Sequence, residues 1–413
     1  MADPVNQSSR YPSFTAHAAV RSARMPPIDL LAADFYLDGA RDAYAWMREH
    51  APVHYDEAND LWGVATYAGV RAVGSDPATF SNAGGSRPGY GPMPWMIDVD
   101  APHHLKRRKL VSRGFTPARV RATLDHVGEI CDDLIDRVSE RGECDFVGDL
   151  AAPLPMAVIG DMLGIPAADR DDLLRWSDEM LGSLRGDPDS LAAAASAFGE
   201  YDRYARRMIA ARRDAPVDDL VSVFVHAEVD GAHLDDDEIV MESLLLLVGG
   251  DETTRHVTTG GMLQLLAEPE TKARLTADLE LLPTAIEEML RWVTPIKNMA
   301  RTTTRAVDLE GVELPAGAKL VVLYESANFD DTRFESPEVF DIGRAPNDHL
   351  AFGFGAHFCL GASLARLELE AMFERLLRRL PDLALVGDDP PPRTINGVDA
   401  MPVRFRPTAP AGG

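Results

Sequence analysis

A glycine-rich segment near the C-terminal end of the chain decides the fold: residues 352–361 read FGFGAHFCLG. Three glycines surround one cysteine, Cys359, and apolar residues at helical spacing predict a helix from about Cys359 to Leu380. Glycine lets the backbone lie close to a flat object, and a helix N-terminus favours thiolate over thiol. Cys359 is therefore a candidate single ligand for a soft or borderline metal, with a buried cysteine at a glycine turn as the alternative. Zinc is disfavoured because no second cysteine or Cys/His pair lies nearby at ligand spacing.

Composition narrows the class of protein. The chain has 413 residues, a formal net charge of -25 at pH 7 and 46% hydrophobic residues. The acidic surplus argues against a nucleic-acid or anionic-membrane binder, because either would repel most of the surface. Only three cysteines occur, which indicates a reducing compartment. No apolar run approaches the roughly 20 residues that span a bilayer, and residues 1–27 lack a signal core. We therefore expect a cytoplasmic protein without a transmembrane segment.

The spacing of apolar residues predicts a mainly α fold with minor β. Helical spacing recurs in residues 117–140, 166–184, 189–213, 235–267, 270–280 and 283–293. Short strand-like pieces occur at 61–66 and between about 302 and 324, where glycine and proline mark turns. No repeat or Ser/Gly linker divides the chain. We expect one domain at 28–406, between a disordered tail at 1–27 and a loose tail at 407–413.

The predicted helix 235–267 contains an unusual polar interruption, GGDETT at residues 249–254. Two glycines inside a helix cost about 1 kcal/mol each relative to alanine. The Thr253 hydroxyl can bond back to the carbonyl of Gly249, four residues earlier, which favours a local widening of the helix. The alternative is a tolerated flaw or a close helix crossing.

Charged pairs at helical spacing occur elsewhere. Glu288 and Arg291 are spaced i,i+3, and His104 and Arg108 are spaced i,i+4. Arg301 follows in a strand-like segment. Each of these taken alone would be interpreted as a surface charge.

In this order, the motifs resemble those of the cytochrome P450 superfamily, from about residue 28 to 406. The resemblance implies that fold, with haem between the long central helix and the cysteine loop. It implies haem b, with Cys359 as its axial thiolate ligand. The expected cofactor-binding residues are His104, Arg108, Arg301, His357, Gly250, Phe352 and Gly361, of which His104, Arg108, Arg301 and His357 would contact the propionates.

The same resemblance assigns the remaining motifs. Glu252 and Thr253 correspond to the family's acid–alcohol pair, which delivers protons during dioxygen activation. The neighbouring Asp251 points about 100° away around the helix. Glu288, Arg291 and Arg344 correspond to a structural ion-pair triad beneath the haem.

A narrower resemblance concerns the actinobacterial cholesterol-catabolising members of the superfamily. It rests on residues 151–162, 175–178, 250–256 and 325–330. In the last segment Phe329 replaces the Arg common in the wider superfamily, a change that the resemblance assigns to the narrower group as well. The resemblance implies hydroxylation of the terminal methyl of a sterol side chain, in cholesterol or cholest-4-en-3-one.

Two segments are expected to form the substrate pocket by resemblance. The loop before the helix of His104 supplies Met93, Trp95, Met96 and Ile97, and the stretch 293–299 supplies Val293, Ile296 and Met299. Met and Trp fill irregular apolar space well. Ordinary core packing is the alternative for each residue.

No flavin or nicotinamide fingerprint is present, so electrons are expected from a ferredoxin and its NAD(P)H-dependent reductase, with dioxygen as cosubstrate. A basic run at residues 106–121 predicts a patch that steers an acidic ferredoxin, including Arg107, Lys109 and Arg113. The alternative is a solvated helix face.

Two other functions stay open. The first is the same chemistry on another lipid, a fatty acid or a polyketide. The second is a haem-binding or sensor protein without turnover. Glu252 and Thr253 argue against the sensor, which needs no proton-delivery pair.

Overall fold

The computed structural model describes residues 26–37, 40–183, 187–228, 231–387 and 397–410. The predicted N-terminal tail lies almost wholly outside the described residues, as do residues 411–413 of the predicted C-terminal tail. The beginning of that second tail is not loose. The N–H of Thr408 donates to the carbonyl of Ser139 at 2.9 Å, which attaches this segment to the end of a helix.

Helices dominate and confirm the mainly α prediction. They are α1 (Ala33–Leu37), α2 (Ala40–His50), α3 (Tyr67–Ser75), α4 (His103–Val111), α5 (Pro117–Ala122), α6 (Leu124–Ser139), α7 (Pro153–Leu163), α8 (Arg170–Gly182), α9 (Pro188–Asp214), α10 (Leu220–His226), α11 (Asp236–Ala267), α12 (Pro269–Ala277), α13 (Leu282–Val293), α14 (Tyr324–Asn328) and α15 (Ala362–Arg379). A six-residue π-helical segment, Phe146–Ala151, precedes α7.

The strands are short and form small sheets. They are β1 (Val53–Asp56), β2 (Leu61–Val64), β3 (Phe80–Ser81), β4 (Glu143–Asp145), β5 (Asn298–Thr303), β6 (Val307–Leu309), β7 (Val312–Leu314), β8 (Lys319–Leu323), β9 (Ala384–Leu385) and β10 (Pro402–Arg404). One sheet has the order β1-β2-β8-β5-β3, a second β4-β10-β9, and β6 pairs with β7. Only β2 and β8 pair in parallel among these described strands.

Helix boundaries follow local chemistry. The long helix α11 begins with a capping box, in which the Asp235 side chain accepts from the N–H of Glu238 and the Glu238 side chain accepts from the N–H of Asp235. The predicted single helix at 117–140 is wrong. The structure has two helices, α5 and α6, which are separated at Thr123, whose hydroxyl donates to the carbonyl of Val120. The last helix begins at Ala362 rather than Cys359, because Gly361 is its N-cap.

The central core joins α6, α7, α11, α13 and α15. One stretch, Phe146–Leu163, is long and apolar enough to cross a membrane by length and composition. Because 72% of this stretch is buried inside the protein, it is accounted for as core. Sequence periodicity did not predict α7, since this helix is apolar on nearly every face.

A buried carboxylate ties the meander that precedes the cysteine segment to α13. Glu288 accepts hydrogen bonds from Arg291 at 2.8 Å, from Arg344 at 3.0 Å and from Asn347 at 3.1 Å. It also accepts from the backbone N–H of Asp341 at 2.9 Å. Glu288 and Arg291 are completely buried. The structure thus brings Glu288, Arg291 and Arg344 together.

Removing this carboxylate should unfold the protein more easily. We expect Glu288→Ala to lower the free energy of unfolding by about 3–5 kcal/mol, because two guanidiniums would lose their buried counter-charge. Urea denaturation followed by circular dichroism measures the change. The control is Glu374→Ala, which breaks the exposed pair with Arg378 and should cost less than about 1 kcal/mol. Equal small losses for both variants would contradict a supporting role for Glu288.

Candidate functional site

Backbone contacts shape the loop that carries Cys359. The N–H of Cys359 donates to the carbonyl of Phe352 at 2.9 Å, which closes the loop. Gly355 has a φ of +77°, and a Cβ there would come within 1.9 Å of the carbonyl oxygen of Gly74 in α3. Only glycine permits this approach. The guanidinium of Arg366 lies 4.6 Å from the centre of the Phe352 ring.

The Cys359 side chain is accessible yet closely surrounded by protein. Its sulfur accepts hydrogen bonds from the backbone N–H groups of Gly361 and Ala362. These bonds and the charge of Arg108 favour the thiolate and lower the pKa of Cys359. Burial outweighs these contacts and raises the pKa of the Cys359 thiol above its ordinary value. A Cβ at Gly361 would meet no atom within 4 Å, so the backbone here borders open space. The thiol therefore lies in a recess that can admit a flat group.

Four basic side chains meet beside this loop. The rings of His104 and His357 stack with centroids 3.9 Å apart, and Arg108 donates to the carbonyl of Phe358. Burial, followed by the charges of His104, Arg301 and Arg108, lowers the pKa of His357 to about 3.

This cluster has no ion pair with a carboxylate among the described residues. Burial and the charge of Arg108 lower the pKa of His104, the charge of Asp100 opposes this, and its buried Nε2 has no hydrogen-bond partner. Arg301 is buried and donates to the carbonyl of Ala300 at 2.7 Å. Within the described ranges, no carboxylate forms an ion pair with Arg108 or Arg301. A dianionic ligand would satisfy the cluster, and the propionates of a haem have that charge.

The polar interruption of α11 has the predicted back-bond. The Thr253 hydroxyl donates to the carbonyl of Gly249 at 2.9 Å. A Cβ at Gly249 would meet nothing within 4 Å, whereas a Cβ at Gly250 would contact Ile159 of α7 at 3.4 Å. Gly250 thus packs against α7 and Gly249 borders open space, and the assignment of Gly250 to cofactor binding remains a prediction.

The Glu252 side chain, next to Thr253 in the sequence, forms an ion pair with Arg255. It accepts from Arg255 at 2.7 Å, and Arg255 also approaches Asp178 of α8 at 3.5 Å. Burial raises the pKa of Glu252 above its ordinary value, and the charge of Arg255 opposes this rise. The acid is thus held between α11 and α8. The i,i+3 spacing of Glu252 and Arg255 is the signal that could have identified this partner.

Two further buried acids were not assigned a role from the sequence. Asp251 accepts from the hydroxyl of Ser177 at 3.2 Å, and burial raises its pKa to about 7. Glu368 of α15 is bonded to Thr254, and burial raises its pKa to about 8. An acidic residue on an otherwise apolar helix face, with leucine on either side, is the signal that could have identified Glu368.

The predicted substrate residues divide into two groups. Met96 and Val293 are buried in core clusters, and Val293 packs against α11 at Gly260. Their side chains are enclosed by protein, and their contact with substrate remains a prediction. The other five are accessible, Met93 as an exposed residue and Trp95, Ile97, Ile296 and Met299 in part.

The predicted basic patch also needs correction. Arg107 is buried and bonded to Glu242 of α11 at 2.7 Å, so it is not a surface residue. Its position one residue before Arg108 turns it about 100° around α4, toward the protein interior. Lys109 and Arg113 are exposed.

Another network missed from sequence supports the cysteine loop. Glu287 accepts from Arg366 at 2.6 and 2.8 Å and contacts Nε2 of His349 at 3.1 Å. The hydrogen bonds from Arg366 and His349 hold the pKa of Glu287 at about 2, although burial acts in the opposite direction. Within the described chain, no cluster of three or more His, Cys, Asp or Glu residues could hold a metal ion.

Protonation of Glu368 should appear in the pH dependence of stability. The native protein keeps this proton up to about pH 8, whereas the unfolded chain loses it near the ordinary pKa of 4.5. The native state therefore binds more protons between these values, and its stability falls as pH rises through this window. Glu368→Gln should flatten that fall in urea denaturation measured at a series of pH values. An unchanged slope, equal to that of the exposed-site control Glu374→Gln, would contradict the assignment.

Comparison with known proteins agrees with this geometry. The cytochrome P450 family profile matches residues 188–402. A steroid C26-monooxygenase of Mycolicibacterium smegmatis is 52% identical over 392 residues, covering 93% of this chain and 98% of that protein. A steroid C26-monooxygenase of Mycobacterium tuberculosis is 53% identical over 395 residues, with coverages of 94% and 99%.

A solved structure extends the likeness to three dimensions. The crystal structure of CYP109E1 from Bacillus megaterium in complex with corticosterone has a TM-score of 0.83 and 34% identity. The matched region covers 90% of this chain and 100% of the CYP109E1 chain. Together with the accessible Cys359 and its anion-deficient basic cluster, these similarities show that the chain belongs to the cytochrome P450 family, whose fold implies a cysteine-ligated haem.

Proposed function

We propose that the protein hydroxylates the terminal methyl of a sterol side chain, with cholest-4-en-3-one or cholesterol as substrate. The observation that carries this proposal is the identity of 52% over 93% of the chain to a steroid C26-monooxygenase. The terminal methyl is the least activated carbon of such a chain. Selection of this carbon therefore depends on how the protein positions the substrate.

The residues that would hold haem b follow from the contacts of the site. Cys359 would hold the haem iron through its sulfur, and the N–H groups of Gly361 and Ala362 would stabilise its thiolate. His104, Arg108, Arg301 and His357 would bind the propionates, which would supply a counter-charge to the cluster. When bound, the haem would supply the activation of dioxygen, one atom of which enters the product, and a thiolate ligand favours O–O cleavage.

Proton delivery is assigned to Thr253 and Glu252. The Thr253 hydroxyl donates to Gly249, so its oxygen remains free to accept a further hydrogen bond. The raised pKa of Glu252 lets this side chain hold a proton nearer to neutral pH than an ordinary Glu. Arg255 fixes the carboxylate between α11 and α8. The pair thereby supports proton transfer without exposing the recess to bulk water.

Electrons come from outside the chain. Bacterial members of the family generally use redox partners and dioxygen, and we assign the partner here to a ferredoxin with its NAD(P)H-dependent reductase in the cytoplasm. Lys109 and Arg113 are exposed near α4, whose Arg108 contacts the cysteine loop. In an acidic protein, these cations would steer an acidic ferredoxin toward this side.

The substrate class can be tested on the purified haem protein. Titration with cholest-4-en-3-one should displace water from the iron and shift its spin state, because a sterol fills the recess. Turnover with ferredoxin and reductase should then give a product hydroxylated at the terminal methyl, identified by mass spectrometry and NMR. Palmitic acid is the comparison ligand. A spin shift and product with the fatty acid, and neither with the sterol, would overturn the sterol assignment in favour of another lipid.

The role of Thr253 has a matched control on the same helix. Thr253→Ala should uncouple the reaction, so that NAD(P)H is consumed while hydrogen peroxide accumulates in place of hydroxylated sterol. Thr259→Ala removes an equivalent back-bond, from Thr259 to the carbonyl of Arg255 at 2.8 Å, and should leave coupling unchanged. The ratio of product to NAD(P)H consumed measures the effect. Unchanged coupling in Thr253→Ala would exclude this hydroxyl from proton delivery.

A further inference from the structure

A buried ion pair joins α4 and α11 away from the cysteine loop. Arg107 donates to Oε1 of Glu242 at 2.7 Å, and the Glu242 side chain is completely buried. Arg107 also lies 3.6 Å from Glu238, one turn earlier on α11. Neither the thiolate nor the proton-delivery pair uses these charges.

Both members of the pair also bind the loop at residues 93–98. Oε1 of Glu242 accepts from the backbone N–H of Met96 at 2.8 Å. Arg107 donates to the carbonyl of Pro94 at 3.1 Å. The ion pair therefore fixes the loop backbone at two points, one on either side of Trp95.

The rest of this loop is held by its own contacts. Asp98 is buried and accepts from the N–H groups of Ser86 and Met93 at 2.9 and 2.8 Å. Asn82 donates to the carbonyl of Ile97 at 2.7 Å. These bonds close residues 86–98 into one unit, and only the Arg107–Glu242 pair ties residues 94–96 to the helices among the described hydrogen bonds.

Three observations place this unit beside the recess: a hydrogen bond, a charge effect and a shared helix. The carbonyl of Ser86 accepts from the N–H of Ala300 at 2.7 Å, next to Arg301 of the basic cluster. The charge of Arg87 acts on Glu252, the neighbour of Thr253. Arg107 belongs to the same helix as His104 and Arg108. The partly accessible Trp95 and Ile97 therefore belong to a loop that borders the site.

Energetics argue against a purely stabilising role. A buried ion pair gains little over apolar residues of similar volume, because the desolvation of both charges offsets their attraction. Burial raises the pKa of Glu242 to about 7, although Arg107 and the N–H of Met96 act in the opposite direction. Oε2 of Glu242 has no hydrogen-bond partner. Such an arrangement is better suited to fixing a geometry than to increasing stability.

We propose that Arg107 and Glu242 are positioning residues that hold the loop at residues 93–98 in the conformation that binds the substrate. The identity of that substrate as a sterol rests on the function proposed above. Loss of the pair would make the backbone around Trp95 mobile. Substrate binding would then have to order this backbone, and the entropy cost would lower the binding affinity. Haem binding would not change, because the pair bonds to Pro94, Met96 and each other rather than to His104 or Arg108.

The central test uses the double variant Arg107→Met with Glu242→Met, which removes both charges and leaves apolar side chains of similar length. The dissociation constant for cholest-4-en-3-one, from the spin-state titration of the haem protein, should rise about tenfold. Hydrogen–deuterium exchange of a peptide spanning residues 93–98 should become faster. Affinity for imidazole, a small ligand of the iron, and the melting temperature should remain close to those of the wild type.

A single variant and a control separate positioning from general stability. Glu242→Gln keeps an oxygen that can accept from Met96, so its sterol affinity should lie between those of the wild type and the double variant. Asp219→Asn weakens a different buried ion pair, with Arg212 at 2.5 Å, which does not contact the loop. It should leave both sterol affinity and loop exchange unchanged.

The outcomes are distinct. Unchanged loop exchange in the double variant would overturn the proposal, as would unchanged sterol affinity where the wild type binds the sterol. An equal loss of sterol and imidazole affinity would also overturn it, because the defect would then be general. If the wild type showed no spin shift with any sterol, the proposed function would fail, while loop exchange would still decide the role of the pair.

Discussion

The structure depends on how the backbone holds one thiol at the edge of a recess. The loop closes through the bond from Cys359 to Phe352, and the Gly355 contact with α3 leaves no space for a side chain. The N–H groups of Gly361 and Ala362 then point to the sulfur. A thiolate is expensive to bury unless such donors surround it, so the start of α15, the approach of α3 and the position of Arg108 all follow from this requirement.

Charged groups form two different networks in this part of the protein. In one, the Glu288 carboxylate accepts from two guanidiniums, an amide and a backbone N–H, which fixes the meander to α13. In the other, the basic cluster of His104, Arg108, Arg301 and His357 has no ion pair with a carboxylate among the described residues. A saturated network stabilises the fold, whereas an unsaturated one is ready for a ligand. The net charge of -25 makes such a basic cluster more conspicuous.

Sequence patterns predicted those parts of the molecule in which local spacing determines geometry. Apolar spacing predicted the helix at 235–267, which the structure has as α11, and the i−4 spacing of Thr253 predicted its back-bond to Gly249. Helix α7 was missed because it is apolar on nearly every face and so has no period. Arg107 was wrongly predicted to be exposed because consecutive basic residues were treated as one surface. Each residue of a helix is rotated by 100° from the one before it, and this rotation directs Arg107 into the core. The partner of Glu368 in α15 is Thr254 of α11, a contact between distant segments that no local spacing can reveal.

Ligation of haem iron by the Cys359 thiolate is the central claim, and one spectrum tests it most directly. The haem protein is reduced, exposed to carbon monoxide and compared with Cys359→His. Thiolate ligation predicts a strongly red-shifted Soret band in the wild type that is lost in the variant. A wild-type spectrum of the ordinary histidine-ligated kind, unchanged by the substitution, would contradict the assignment of Cys359 and with it the function built on that residue.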